Sequence, residues 1–304
     1  MLYSGYIIRH YRLEDFHSFV RLRNESAELS PDTGYLSPDV IRESLGRPGY
    51  TPEHDLFVAD KGGEMVGYLD INAEPEIGRL VLDCLIEPQH RRRGLAYRLF
   101  QQAVMRAIAL GVEVAHVNVR DENALARAVL EQAGFHVIHR SIELVMDPVQ
   151  LPEPVGNVLP IRPLGTDEVD ILTDIQNRSF TGIWGFSPNA TEEISYATHN
   201  ASATEGIRIA MDGERPVGYC WVRIQENGRG KNWGRIGMLG VDPDYRGKGL
   251  GRELLLAGLS YLKEKGFKTA QITVDSENTV AYALYQSVGF THRDTSLWYE
   301  KSLD

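Results

Sequence analysis

Residues 234–266 read GRIGMLGVDPDYRGKGLGRELLLAGLSYLKEKG, and residues 79–111, 155 positions earlier, read RLVLDCLIEPQHRRRGLAYRLFQQAVMRAIALG. Pro88 falls on Pro243, Arg91 on Arg246, Gly94 on Gly249, Leu95 on Leu250 and Gly111 on Gly266. The register continues without a gap: Asn123 falls on Asn278, Ala126 on Ala281, and Gly134-Phe135 on Gly289-Phe290. Small and turn-forming residues held at one spacing over such a length mark an internal repeat. The chain is a duplication.

The 304 residues suit two domains at about 100–200 residues each. Between the copies, DPVQLPEPVGNVLP (147–160) carries Pro148, Pro152, Pro154 and Pro160, which resist both helix and central strand. It reads as an extended linker, so the expected domains are 1–151 and 152–304. In each half two strand-like runs are joined by a tight turn, LFVAD to VGYLDIN and IRIAMD to VGYCWVRI. A third strand (LVLDCLIE, IGMLGVD) then leads into a helix. In the second copy Leu250, Leu254, Leu255, Gly258, Leu259 and Leu262 recur at spacings of 3 and 4, one apolar stripe, and Gly266 ends it. A further strand (VEVAHVNVR, TAQITVDS) and a helix opening at an asparagine follow. The expected class is α/β of a mixed, α+β-like kind, each copy a mostly antiparallel mixed sheet flanked by helices.

Composition excludes several functions. The chain is 42% hydrophobic and 24% charged, with a formal charge of −10. Residues 1–150 carry 16 Arg or Lys against 22 Asp or Glu, and the rest 16 against 20. Without a basic stripe, nucleic acid is not an expected partner. No apolar run approaches the roughly 18–20 residues of a membrane span, and Arg9, His10 and Arg12 interrupt the N-terminal segment, so no secretion signal is read there. Cys84 and Cys220 are expected to be reduced and buried, in a cytoplasmic protein acting as a monomer or homodimer. His90, His136 and His139 lack the cluster a metal needs, so no metal is expected.

Arg246-Gly247-Lys248-Gly249-Leu250-Gly251 lies between a strand and a helix. Its glycines allow close backbone approach, the helix start favours a phosphate, and Arg246 and Lys248 add positive charge. It is neither a P-loop nor a dinucleotide fingerprint, since Arg252 stands where the third small residue belongs. It resembles the pyrophosphate loop of the GCN5-related N-acetyltransferase (GNAT) family, Arg/Gln-x-x-Gly-x-Gly/Ala after Val-Asp-Pro. Residues 278–290, NTVAYALYQSVGF, resemble the same family's Asn-x-x-Ala-x-x-x-Tyr-x-x-x-Gly-Phe helix. The resemblance spans nearly the whole chain, twice.

That resemblance implies acetyl-CoA as co-substrate and acetyl transfer to a primary amine. It assigns Asn278 to the pantetheine arm, Tyr285 to protonation of the departing sulfur, and the backbone N–H groups of Leu239, Gly240 and Val241 to the thioester carbonyl. In the first copy Arg91, Arg92, Arg93, Gly94, Leu95 and Ala96 form a comparable loop, but Leu130 occupies the position of Tyr285. The first domain is therefore expected to be a degenerate copy, with acetyl-CoA binding there left open, and the second the catalytic one.

A tandem chain with a weakened first half resembles mycothiol synthase. However, the family's acidic residue on the strand before the loop falls at Arg235, which is the wrong charge for a substrate ammonium. For the acceptor, the insert Phe180-Thr181-Gly182-Ile183-Trp184-Gly185-Phe186 is expected to be a pocket wall or an inter-domain contact, so Trp184 and Phe186 are candidates. Glu193, with Glu192 and His199, is a candidate base, or simply a first-turn carboxylate favouring the helix dipole. A non-catalytic acyl-CoA-binding regulator, or an enzyme acting on protein N-termini or lysines, are the alternatives.

Overall fold

The computed structural model describes residues 5–25, 35–153, 159–199, 204–226 and 232–303; the linker's residues 154–158 lie outside them. In chain order the first half contains β1 (Tyr6–His10), α1 (Phe16–Glu25), α2 (Pro38–Leu45), the single turn α3 (Pro52–Asp55), β2 (Leu56–Lys61), β3 (Glu64–Glu74), β4 (Arg79–Ile86), α4 (Leu95–Leu110), β5 (Val114–Arg120), α5 (Ala124–Gln132) and β6 (His136–Met146). The second half contains β7 (Ile161–Pro163), α6 (Val169–Phe180), α7 (Thr191–Thr198), β8 (Ile207–Asp212), β9 (Arg215–Glu226), β10 (Asn232–Val241), α8 (Leu250–Glu264), β11 (Ala270–Asp275), α9 (Thr279–Val288) and β12 (Thr291–Ser302).

Two compact units result, Met1–Arg140 with Thr295–Asp304, and Ser141–Asp294. In the first, β1, β2, β3 and β4 are antiparallel neighbours and β5 joins β4 in parallel. Its sixth strand comes from the end of the chain: Ser296–Ser302 of β12 run antiparallel to β5. The second unit repeats this with β7, β8, β9, β10 and parallel β11, and Ser141–Met146 of β6 supply its sixth strand. The linear division at 151/152 therefore separates the two copies along the chain but not the two compact units. β5 and β11 offer equivalent open edges, and backbone hydrogen bonding lets either closing strand satisfy either edge.

The predicted helical stripe is the core face of α8: Leu250, Leu254, Leu255, Leu259 and Leu262 are buried with Gly258. Gly258 brings α8 close to the sheet, because an added Cβ would lie 2.6 Å from Cys220 Sγ. The helix ends in a Schellman-type turn, with Gly266 at φ +82° and Phe267 N–H donating to Leu262 O at 2.9 Å. Its counterpart α4 ends the same way at Gly111, with Val112 N–H donating to Ala107 O at 3.0 Å. Cys220 is buried as expected, but Cys84 is exposed. Pairing of β4 with β5 stops at Val81, and Cys84 lies on the stretch beyond it, where the strand has lost its neighbour on that edge.

Candidate active site

In the second unit β10 pairs with β11 only through Gly234, Arg235 and Ile236. At that point a bulge inserts Gly237 into β10, shifting its register against β9 between Ile236 and Met238. Past the bulge, Met238 to Val241 keep β9 on one edge and, among the described residues, have no strand on the other. An unpaired strand edge presents backbone N–H and C=O groups to a ligand, and Leu239, Gly240 and Val241 lie on this one. The first unit opens at the equivalent place, but its β3–β4 register runs from Gly67–Ile86 to Glu74–Arg79 with no shift.

The glycine-rich loop follows. Pro243–Tyr245 form one 3₁₀ turn, Gly247 and Gly249 adopt φ of +74° and +84°, and α8 begins at Leu250. Arg252 N–H donates to Gly249 O at 3.0 Å, whereas the N–H groups from Gly247 to Gly251 donate to no acceptor among the described residues. Five consecutive donors at the positive end of a 15-residue helix form an anion cradle. Arg246 is tied to it, Nε donating to Val241 O at 3.2 Å and Nη2 to Ser179 O at 2.8 Å, and Lys248 Nζ donates to Asp244 O at 2.9 Å.

The first-unit loop keeps this shape with different residues. Gly94 adopts φ +71°, and Arg92, which replaces Gly247, adopts φ +58°, a left-handed conformation that costs a non-glycine residue roughly 1–2 kcal/mol. Arg91 Nε donates to Ile86 O at 2.9 Å, as Arg246 does to Val241 O.

One anchoring device has no signature in the sequence. Asp242 is 2% exposed, accepts from Asp244 N–H at 3.0 Å and is ion-paired to Arg178 of α6 and to Arg215 of β9. Burial alone would raise its carboxyl pKa, but the Asp244 N–H and the two arginines outweigh this and lower it. The first unit uses Glu87 and Arg21, 2.8 Å apart, in the same way. These partners are 64 and 66 residues apart, too far for local patterning to reveal.

Tyr285 projects from α9 into the core with 6% exposure, its ring edge-on to Phe290 at 6.1 Å. Burial pushes its phenol well above the ordinary tyrosine range, so the group holds its proton at every physiological pH. Its hydroxyl has no hydrogen-bond partner among the described residues. Asn278 caps α9, its Oδ1 accepting from Ala281 N–H at 3.0 Å, as Asn123 caps α5 in the first unit. Leu130, at the position of Tyr285, packs half-buried against the first unit's core.

On the opposite sheet face α6 and α7 cover Tyr219 and Trp221. Phe186 packs on Phe180 at 5.5 Å and Phe180 on Tyr219 at 6.4 Å, which makes Phe186 part of this aromatic layer. Trp184 is 39% exposed. Glu193 is committed elsewhere: its Oε2 accepts from Ala190 N–H at 2.8 Å and closes the N-terminus of α7. Two α6 atoms facing β10 are buried and unpaired, Gln176 Oε1 and Ser179 Oγ. Ser179 is wedged against Gly240, where an added Cβ would lie 2.8 Å from Ser179 Cβ. Among the described residues no three His, Cys, Asp or Glu side chains converge as metal ligands, and no helix is long and apolar enough to cross a membrane.

The model of the acetyltransferase (GNAT) family matches residues 17–135 and 169–290. A mycothiol acetyltransferase of Amycolatopsis mediterranei (strain U-32) is 32% identical over 285 residues, covering 85% of this chain and 91% of that protein. That of Saccharopolyspora erythraea is 28% identical over 285 residues, covering 85% and 89%. Among solved structures, a GCN5-related N-acetyltransferase from Sphaerobacter thermophilus superimposes with a TM-score of 0.75 at 19% identity, covering 100% and 97% of the two chains. A tandem GNAT protein from the clavulanic acid biosynthesis pathway gives 0.72 at 19% identity, covering 98% and 99%. Two copies of one fold, each with an open strand edge leading to an anion cradle, and a family match in each half give one answer: the chain belongs to the acetyltransferase (GNAT) family in its tandem form, and is an N-acetyltransferase.

Proposed function

We propose that the second unit transfers an acetyl group from acetyl-CoA to a primary amine, with Tyr285 as general acid. The observation that carries this reading is the run of five undonated N–H groups from Gly247 to Gly251, placed between the open edge of β10 and α8. They fit a pyrophosphate, with Arg246 and Lys248 adding charge that an otherwise acidic chain lacks. Bound acetyl-CoA supplies an activated acetyl thioester. The N–H groups of Leu239 and Val241 polarise a carbonyl oxygen at the open edge, while Gly240 between them, in step with Asp242 N–H donating to Val217 O, turns its N–H toward β9, and Asn278 holds the pantetheine arm. As the N–C bond forms and the C–S bond breaks, Tyr285 Oη gives its proton to the departing sulfur, and the amine proton leaves to solvent. The aromatic layer of Phe180, Phe186 and Trp221, with Trp184 at its exposed margin, lines the acceptor side.

The first unit keeps a cradle, including Arg92 held in a costly conformation, but has no acid where Leu130 stands. It is a non-catalytic copy in this reading. The relatives' name would bring a mycothiol-type acceptor, and Arg235 argues against one. The test is coenzyme A release with a panel of amines, comparing wild type, Tyr285→Phe, Gly249→Glu and Gly94→Glu. A carboxylate placed in the second cradle abolishes turnover, and one placed in the first does not. Full activity of Gly249→Glu would refute the reading. Acetyl-CoA binding with no amine ever acetylated would favour an acyl-CoA-binding regulator.

A further inference from the structure

The acceptor face of the second unit carries an arrangement that neither fold nor core requires. Arg223 of β9 and Arg235 of β10 are direct cross-strand partners, with Arg235 two residues before the Gly237 bulge. Like charges placed opposite one another destabilise a strand pair. An added Cβ at Gly237 would meet Arg223 Cδ at 3.4 Å. Arg223 is exposed and makes no ion pair among the described residues, its guanidinium lying over the Trp221 ring at 4.9 Å. Arg235 donates to Thr273 Oγ1 of β11 at 2.7 Å, which holds its guanidinium across the mouth of the β10–β11 opening. Glu143, the residue opposite Thr273, has Arg293 at 3.8 Å.

We infer that Arg223 and Arg235 form an anion seat for the acceptor, so that the amine acetylated by this enzyme belongs to a molecule that also carries a carboxylate or a phosphate. An anion between two guanidiniums removes their repulsion and accepts charge-assisted hydrogen bonds from both. The seat shares its sheet face with Trp221 and Met238, which flank the bulge, so an anionic group held there leaves the rest of the acceptor running toward the Leu239–Val241 edge. The inference rests on the second unit being the catalyst, and it adds the class of acceptor.

The test uses matched pairs that differ only in the anion: L-phenylalanine against L-phenylalaninamide for the carboxylate, and 2-aminoethyl phosphate against ethanolamine for the phosphate. Each is assayed by coenzyme A release and, independently of turnover, titrated calorimetrically against the full-length protein. The anionic member of at least one pair is expected to be preferred at least about tenfold in kcat/KM or in dissociation constant. Which pair shows the preference separates carboxylate from phosphate. Arg223→Gln and Arg235→Gln should each bring that ratio toward one, with acetyl-CoA affinity retained as evidence of folding. Equal affinities within both pairs, no binding of either anionic probe at millimolar concentration, or a preference that survives both substitutions overturns the seat. Anion preference in binding without acetylation would support the seat and count against the catalytic reading instead.

Discussion

Replacing Tyr285 with phenylalanine separates chemistry from packing more sharply than any other single change. The side chain is 6% exposed, packs in the core against Phe290, and its hydroxyl has no partner among the described residues. An unpaired buried polar group costs about 1–3 kcal/mol. Because this one keeps some exposure, relief of about 0–1 kcal/mol is expected when the oxygen is removed and the ring remains. For units of this size that corresponds to roughly 0–4 °C in Tm. Catalysis should move the other way, because losing a general acid costs about 10²–10⁴-fold in rate. The assays are urea or thermal unfolding beside kcat for coenzyme A release, with acetyl-CoA affinity as a control. A variant destabilised by more than about 1 kcal/mol whose kcat stays within threefold would make Tyr285 a core aromatic, and the assignment of the acid would fail.

Gly234→Ala should destabilise the second unit by at least about 2 kcal/mol, because its Cβ would lie 1.9 Å from Leu262 Cδ2 inside a packed core; a Cm shift in urea checks this. Cys220 is raised by burial to about 12, so its contribution to stability is complete below the ordinary thiol range and is lost as pH rises from there toward 12. Cys220→Ala should therefore flatten the fall in stability between about pH 8.5 and 10, seen in unfolding curves at each pH. Asp242→Asn removes the buried carboxylate shared by Arg178 and Arg215, leaving Arg215 only Asp244, and should raise the dissociation constant for acetyl-CoA at least about tenfold while helical content by circular dichroism is kept; unchanged affinity would mean that the anchor does not shape the cradle.

Much of this molecule was legible because the relevant physics is local. The α8 stripe, Gly247 and Gly249 at positive φ, the Schellman endings and the Asn123 and Asn278 caps each depend on a few consecutive residues, and each is where the sequence puts it. The 155-residue register made each reading in one half a check on the other. Glu193 shows the limit. As a first-turn residue it has two readings, and the structure shows its carboxylate accepting from Ala190 N–H. Cys84 was misjudged for a related reason: an apolar strand-like context predicts burial only where the strand is covered, and β4 outlives its pairing with β5.

The sequence by itself determined that the chain is a duplication, that each copy is a mixed sheet flanked by helices, and that Tyr285 of the second copy stands where the first has Leu130. Only the tertiary structure decided which strands close which unit, since β5 and β11 present chemically equivalent edges and backbone hydrogen bonds carry no address. The tertiary structure alone also brought Asp242 to Arg178 and Arg215, and set Arg223 opposite Arg235 beside the bulge. Those pairs depend on strand register and helix placement, which are settled by packing over the whole unit rather than by neighbours along the chain.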